Sequence, residues 1–338
     1  MNIDYPIDFV VTWVDSSDPE WIAEYSKYRI VKHDEDAARY RDWDLFRYWF
    51  RAIEKNAPWF NKVYLVTCGQ CPKWLNLENP KLKLVKHSDY IPQQYLPTFN
   101  SRCIELNFGR INDLSEHFVY FNDDMYINAP VSPDYYFKQG LPVDFNMETA
   151  SMMCTFHPEQ LFGINLSLYC NIAVLNYHFK RKDVVRKALS KWYGPHLGVK
   201  NLLTSIKLFK SQRFHGFVNR HTEQPYLKST FKEIWEKEPL MLDKTCTRFR
   251  VAESLTPYFA REWQLASNRF FPCEHRGKIY NIVESTFDEL LKNLRNGKEP
   301  SLCLNDTPKC SPEFYNEASQ EIQNVMKERY PEKSSFEL

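Results

Sequence analysis

The chain has 338 residues, of which 43% are hydrophobic and 16% aromatic, enough for one large α/β domain or two smaller ones around a packed core. Its 44 basic and 43 acidic side chains nearly cancel. It therefore lacks the broad positive field that nonspecific nucleic-acid binding requires, and we expect no nucleic-acid partner.

The sequence also bears on the cellular compartment. It has no run of roughly 18–20 apolar residues that could form a membrane helix, and acidic residues interrupt the N-terminus before a signal peptide can form. Nine cysteines at irregular spacing fit a reducing compartment better than a disulfide framework. We expect a cytoplasmic protein that is either free or attached peripherally to the inner face of the membrane.

The first half of the chain alternates predicted strands and helices. Strands are predicted at 9–14, 62–67, 82–85 and 118–121, where β-branched and aromatic residues with little polar alternation are typical of strands covered on both faces. Helices are predicted at 44–58 and 101–114 from apolar residues at helical spacing. This alternation predicts an α/β fold with a doubly wound, Rossmann-like sheet.

The second half is predicted to be mostly helical and to complete a cleft with the first half. Its predicted helices cover 182–192, 201–209, 223–237, 253–266 and 287–296, the last with a Thr286/Glu289 capping box and Gly297 as its stop. We divide the chain into a Rossmann-like part at 1–150 that binds donor and metal, a helical part at 151–298 and an extension at 299–338. The last residues, 334–338, are expected to fray.

Two adjacent acids, Asp123 and Asp124, follow the apolar run 117–121 directly. Carboxylates at a strand end suit a hard cation such as Mg²⁺ or Mn²⁺, which takes oxygen ligands together with substrate phosphates. The alternative is that the pair only caps a turn. Ligands of such sheets lie beyond the carboxyl ends of the strands, which would place Asp15, Thr67 and His87 around the same crevice.

Two more polar segments leave alternatives open. Asp15 ends the first predicted strand and suits either a ligand site or an Asx turn that leads into the next helix. Acidic and basic residues also crowd the start of the helix predicted at 44–58. The arginines fit a phosphate site, whereas the acids fit simple helix capping. These residues are Arg39, Arg41, Asp42, Asp44 and Arg47.

Taken together, these stretches resemble the Stealth family of sugar-phosphate transferases. The resemblance rests on ordered blocks at 7–15 (IDFVVTWVD), 39–76, 96–127 (ending in HFVYFNDDMYI), 220–226 (RHTEQPY), 247–255 (TRFRVAESL) and 273–282. It implies a glycosyltransferase A-like fold and a Mg²⁺- or Mn²⁺-dependent enzyme. Such an enzyme moves a sugar-1-phosphate from a nucleotide-sugar donor, expected to be UDP-linked, to a hydroxyl of a glycan acceptor in capsular or cell-surface polysaccharide.

The resemblance also implies site residues. Asp123 and Asp124 match the family's acidic pair and would hold the metal. Asp15 matches the polar end of the first block, and Arg39 and Asp42 the opening of the second. His221 and Arg250 match the later catalytic block, where we expect His221 to be the general base and Arg250 to clamp the β-phosphate. The residues expected to bind substrate are Thr12, Trp13, Asp15, Arg47 and Asn122.

Two other function classes fit parts of the sequence. A conventional nucleotide-sugar glycosyltransferase would also carry an acidic pair after a strand of a Rossmann-like domain. A non-catalytic glycan-binding protein would account for the aromatic residues but would leave the Arg, Asp and His blocks unused. The basic run 180–187 is interpreted as a solvated helix face, with contact to a diphosphate or to an anionic membrane bearing a lipid-linked acceptor as alternatives.

Overall fold

A computed structural model describes residues 4–29, 41–149 and 164–338. The strands are β1 Ile7–Thr12, β2 Val63–Thr67, β3 Leu82–Lys86, β4 His117–Asn122, β5 Met125–Ile127, β6 Phe137–Lys138, β7 Leu141–Asp144, β8 Gln224–Leu227, β9 Phe271–Pro272, β10 Lys278–Asn281 and β11 Ser301–Asn305. The α-helices are α1 Pro19–Tyr28, α2 Phe46–Asn56, α3 His87–Tyr90, α4 Ser101–Leu106, α5 Ile164–His178, α6 Arg181–Lys187, α7 Leu189–Trp192, α8 Gly198–Lys207, α9 Lys228–Lys237, α10 Pro239–Thr245, α11 Tyr258–Ala266, α12 Glu284–Asn296 and α13 Pro312–Arg329.

The main sheet has five strands in the order β3-β2-β1-β4-β8. Strands β1 to β4 are parallel, and β8 joins the edge of β4 antiparallel. Because the strand order reverses between β1 and β4, a crevice opens at their carboxyl ends, where Thr12 pairs with Asn122. The four predicted strands and the doubly wound, Rossmann-like α/β fold are therefore confirmed.

Apolar side chains cover both faces of this sheet. Alternate residues of β1 point into two different core clusters, Phe9 and Val11 into one and Val10 into the other. On the first face, helix α2 buries Trp49, Phe50 and Ile53 completely. This two-sided burial explains why the strands read as continuous apolar runs.

The C-terminal segment is part of the first-face core. Strand β11 pairs antiparallel with β5, the short strand that follows the Asp123–Asp124 turn. The expected fraying at 334–338 is wrong, because Phe336 is fully buried and its carbonyl accepts a bond from the Asn76 amide. The Glu337 carboxylate also takes two 2.7 Å hydrogen bonds from the Arg51 guanidinium. The division at 150 and 298 stays a prediction.

Two predicted helices are shorter than expected. The helix predicted at 101–114 ends at Leu106, because the side-chain amide of Asn107 bonds back to the Cys103 carbonyl at 2.8 Å and a 3₁₀ turn follows. The helix predicted at 223–237 begins at Lys228. The residues before it form β8, in which the prolyl nitrogen of Pro225 needs no ladder partner at the sheet edge.

Further helix boundaries also differ. The helix predicted at 253–266 starts at Tyr258, just after Pro257, and that predicted at 182–192 breaks at Ala188 into α6 and α7. The prediction of a Thr286/Glu289 capping box is wrong, because Thr286 lies inside α12 and its hydroxyl donates a bond to the Asn281 carbonyl. Gly297 ends α12 in the left-handed conformation, as predicted. None of the helices in the described ranges is long and apolar enough to cross a membrane.

The buried carboxyl of Glu262 on α11 predicts a pH-dependent stability. Burial raises the pKa of Glu262 to about 7, although Asn219 donates a 2.8 Å bond to the side chain. Between the ordinary carboxyl pKa and about 7, the unfolded chain loses this proton while the folded chain keeps it. The free energy of unfolding should therefore fall as pH rises through this window.

Substituting Glu262→Gln should flatten that dependence and stabilise the protein at pH 8 by on the order of 1–3 kcal/mol. Urea unfolding at pH 5 and pH 8 measures the effect, with the exposed Glu317→Gln as the control. An unchanged slope of stability against pH in Glu262→Gln would contradict this role.

Candidate active site

A cleft of about 1290 Å³ opens at the carboxyl ends of the parallel strands. Side chains from β1, the β4–β5 turn and the segment before β8 line it together with residues of α4 and of the loop before α11. The lining residues that the argument uses are Thr12, Trp13, Asp42, Glu105, Tyr120, Asn122, Asp123, Asp124, His221, Arg250 and Asp306.

Asp123 and Asp124 form the two-residue turn between β4 and β5. The Asp124 backbone carbonyl accepts a 2.9 Å bond from the Leu304 amide, which fixes the turn against β11. One Asp124 carboxylate oxygen, Oδ2, accepts a bond from the Cys303 thiol at 3.3 Å. The other, Oδ1, is buried and has no hydrogen-bond partner within the part of the chain that the structure describes. A buried carboxylate oxygen without a donor is a site that a cation can satisfy.

His221 reaches the same turn from the segment before β8. Its Nε2 lies 3.2 Å from the side-chain nitrogen of Asn122 and 3.5 Å from Asp124 Oδ2. Burial lowers the pKa of His221, but the Asp124 carboxylate more than offsets this and the net pKa is raised. For Asp123, desolvation and the adjacent negative charge of Asp124 raise the pKa to about 7. The turn therefore concentrates negative charge that a cation would relieve.

Arg250 also lines the cleft. Its guanidinium donates a 2.5 Å bond to the Ser101 hydroxyl at the start of α4. On the same helix, burial raises the pKa of Glu105 to about 7, while the charge of Arg250 opposes the rise. Arg250 and Glu105 thus add one cation and one carboxyl that can exchange a proton to the cleft that His221 lines.

At the end of β1, two predicted substrate-binding residues line the cleft. The Thr12 hydroxyl lies 3.2 Å from the Tyr120 hydroxyl and donates to Asn122 Oδ1 at 3.4 Å. Trp13 stacks on Phe46, with ring centroids 5.8 Å apart. Asn122 completes this group through its contact with His221.

Two residues expected in the crevice, Asp15 and Thr67, and the expected substrate-binding residue Arg47 do not line the cleft. Asp15 forms an Asx turn, in which its Oδ1 accepts a 2.9 Å bond from the Ser17 amide. Arg47 turns away towards Asp44, at 3.7 Å, and packs over the Trp74 ring. Thr67 is buried, and its hydroxyl bonds to the Gln70 carbonyl at 2.8 Å. His87, which was expected in the crevice together with Asp15, Thr67 and the acidic pair, does line the cleft.

The structure describes only part of the predicted site segment that precedes α2. Arg39 lies outside the described residues. Asp42 lines the cleft, and its Oδ1 accepts a 2.7 Å bond from the Asp44 amide. Neither acid caps α2, which begins after Leu45 without a side-chain cap, so the capping interpretation is wrong. Arg41 instead forms a 3.5 Å ion pair with Asp306.

Three residues of the site were missed in the sequence analysis: Asp306 and Glu105, which line the cleft, and Cys303, which is buried against Asp124 Oδ2. Asp306 receives a 3.2 Å bond from the Trp43 indole, and its Oδ1 is buried without a partner among the described residues. An Asn305–Asp306 pair directly after the apolar run 302–304 repeats the pattern of Asn122–Asp123 and could have revealed it. Glu105 and Cys303 carry no such signal, because only the packing of α4 brings Glu105 to the cleft and only that of β11 brings Cys303 to Asp124.

The donor set fits a divalent cation. Ligand atoms of Asp124, His221 and Cys303 all lie within 4.8 Å of one another, and Asp123 adjoins them. The carboxylate oxygens suit Mg²⁺ or Mn²⁺, whereas imidazole and thiolate suit softer ions such as Zn²⁺. This fold and cleft define an α/β enzyme that holds its ligand beyond the carboxyl ends of parallel strands.

Comparisons with known proteins agree with this class. Family models of Stealth protein conserved region 1 and conserved region 2 match residues 5–30 and 39–143. The chain is 39% identical over 337 residues to the capsular polysaccharide phosphotransferase WcwK of Streptococcus pneumoniae, with 98% of both chains covered. It is 36% identical over 340 residues to the receptor polysaccharide phosphotransferase WefC of Streptococcus oralis, with 98% of this chain and 99% of that protein covered.

A third relative, an exopolysaccharide phosphotransferase of Lactiplantibacillus plantarum, is 36% identical over 336 residues and is aligned over 98% of this chain and 96% of its own length. The chain therefore belongs to the Stealth family, and it is a phosphotransferase. The family resemblance seen in the sequence is confirmed, and a purely glycan-binding role is excluded.

Proposed function

We propose that this phosphotransferase acts in polysaccharide biosynthesis and moves a sugar-1-phosphate from a nucleotide-diphosphate sugar, most simply a UDP-sugar, to a hydroxyl of a glycan acceptor. The acceptor hydroxyl oxygen attacks the phosphorus that carries the sugar. The bond from that phosphorus to the bridging oxygen breaks, and the nucleoside monophosphate leaves. The acceptor proton passes to a base, and the product is a phosphodiester in capsular or cell-surface polysaccharide.

The observation that carries the proposal is the contact of His221 with the Asp123–Asp124 turn, in a cleft that Arg250 also lines. Phosphoryl transfer needs charge neutralisation, alignment of the two substrates and removal of one proton. Asp123 and Asp124 would hold Mg²⁺ or Mn²⁺, which when bound offsets the charge of the diphosphate. The relatives' names, which specify phosphotransferases of capsular, receptor and exocellular polysaccharides, support the same substrate class.

Each of the cleft residues would have its own role in this reaction. Arg250, which is anchored by Ser101, would bind phosphate oxygens. His221 would take the proton of the acceptor hydroxyl, and its contact with Asn122 would fix the orientation of the ring. Trp13 offers an aromatic face at the end of β1 on which a sugar or base can stack. Thr12 fixes Asn122 from the other side.

The nucleotide product tests this proposal. Purified protein with a UDP-sugar panel, Mg²⁺ and a glycan acceptor should release UMP and transfer label from a β-³²P donor into the glycan. A conventional glycosyltransferase would instead release UDP and leave the label on the nucleotide. A reaction without acceptor controls for donor hydrolysis, and UDP as the sole acceptor-dependent product would overturn the proposal.

A further inference from the structure

Helix α8 and Phe209, two residues after its end, expose an apolar stripe. Val199, Leu203, Ile206 and Phe209 are 78%, 54%, 53% and 60% exposed. Their spacing of four, three and three residues places them on one side of a helix. Large apolar side chains grouped in this way on a surface mark a contact with another apolar phase or partner.

The segment that carries the stripe is anchored to the rest of the protein through Ser205 and Leu208, which keeps the stripe at the surface. Ser205 and Leu208 are buried, and the Ser205 carbonyl accepts a bond from the Tyr193 hydroxyl at 3.3 Å. The Leu208 carbonyl accepts a 2.6 Å bond from Arg181. Arg181 is itself buried and held by Glu148 through two bonds of 2.6 and 2.8 Å. Rotation of the stripe into the core would break this anchor.

The stretch of sequence that contains the stripe carries only basic charge. Between residues 184 and 222 the sequence contains no Asp or Glu, although the whole chain has 43 acids against 44 bases. The same segment carries eight Lys or Arg residues. Six of them are exposed: Arg186, Lys187, Lys200, Lys207, Lys210 and Arg213. Three of these six lie within or directly after α8, beside the apolar stripe.

We propose that this surface, which we call the α8 face (Val199, Leu203, Ile206, Phe209 and the three lysines Lys200, Lys207 and Lys210), binds an anionic phospholipid bilayer. An amphipathic helix with an apolar stripe and flanking lysines lies in the plane of the lipid interface. The apolar side chains enter the acyl boundary. The lysines extend to the lipid phosphates, because their stems can follow the apolar surface while the ammonium groups stay in the polar layer.

Charge favours the bilayer over a second copy of the chain. A symmetric dimer through the α8 face would bring the same lysines from both copies together. No acid between residues 184 and 222 could offset that repulsion locally. An anionic bilayer instead offers negative lipid phosphates to the lysines and an apolar acyl layer to the stripe.

Vesicle co-sedimentation tests the proposal without any substrate. The full-length protein should bind mixed phosphatidylcholine and phosphatidylglycerol vesicles, should bind pure phosphatidylcholine vesicles far more weakly, and should dissociate as salt is raised. Replacing Lys200, Lys207 and Lys210 by Gln should weaken binding to the anionic vesicles roughly a hundredfold, since each lysine contributes about fivefold near such a surface.

A second variant, Leu203→Glu with Ile206→Glu, should abolish vesicle binding by removing the apolar anchor. Leu240→Glu is the matched control, because Leu240 is 75% exposed on α10, outside the α8 face, and should leave binding unchanged. Circular dichroism checks that the variants fold. Transfer to a water-soluble acceptor, measured separately, should be unaffected, so failure of the catalytic proposal is distinguishable from failure of this one.

Two results would overturn the inference. One is equal binding of wild type and both variants to anionic vesicles, or no binding by any of them at low salt. The other is a concentration-dependent dimer that the Leu203→Glu, Ile206→Glu variant disrupts while vesicle binding is absent, which would make the α8 face a self-association interface.

Discussion

Replacing His221 by Ala is expected to lower kcat about 10²–10⁴-fold, the usual contribution of a positioned acid or base. The imidazole Nε2 lies at the Asp124 carboxylate and the Asn122 amide, in the cleft that we propose for the substrates. The side chain is 38% exposed, so its loss should cost little folding energy. Steady-state kinetics with saturating donor and acceptor measures the effect.

Metal binding separates two roles for His221. If the ring is a base, Mn²⁺ affinity in His221→Ala should match that of wild type while kcat falls. If the ring is instead a ligand, as its place in the Asp124–Cys303 cluster allows, affinity and turnover should fall together. His215→Ala is the control, because His215 bonds to Ser211 and does not line the cleft. Near-normal turnover in His221→Ala would remove this residue from the mechanism.

Local sequence patterns predict the parallel part of the fold well, because strands β1 to β4 are apolar runs separated by residues that stop or start helices. Strand β8 was missed since it is short, lies at the sheet edge and contains Pro225, so its apolar residues also fit a helical period. Helix α4 ends early through a side-chain bond from Asn107, which no periodicity reveals.

The candidate site likewise contains residues that the sequence predicts and residues that it does not. Asp123 and Asp124 could be found from the sequence because they follow a strand directly. The contact of this acidic pair with His221 depends on the antiparallel pairing of β8 with β4. Its contact with Cys303 depends on the antiparallel pairing of β11 with β5. Both pairings join distant parts of the chain. His221 was predicted only from the family resemblance, and Cys303 and Asp306 were not predicted.

Asp124→Asn is expected to weaken Mn²⁺ binding by at least about a hundredfold, the upper range for losing even a residue that supports a metal ligand. The buried Oδ1 has no donor within the described residues, and Oδ2 faces His221 and Cys303. The amide replaces one of these oxygens by a donor nitrogen and removes the negative charge, so both effects act against a cation. Mn²⁺ titration followed by electron paramagnetic resonance measures the affinity without turnover.

The companion variant Asp123→Asn identifies which carboxylate contributes more. The Asp124 charge and burial both raise the pKa of Asp123, so removing the Asp123 carboxyl relieves repulsion and should weaken Mn²⁺ binding less than Asp124→Asn does. The exposed Asp288→Asn on α12 controls for the loss of one negative charge and should bind Mn²⁺ like wild type. If Asp124→Asn kept wild-type affinity and Asp123→Asn lost it, the metal would lie on Asp123, and the buried Oδ1 of Asp124 would need another partner, such as a substrate hydroxyl.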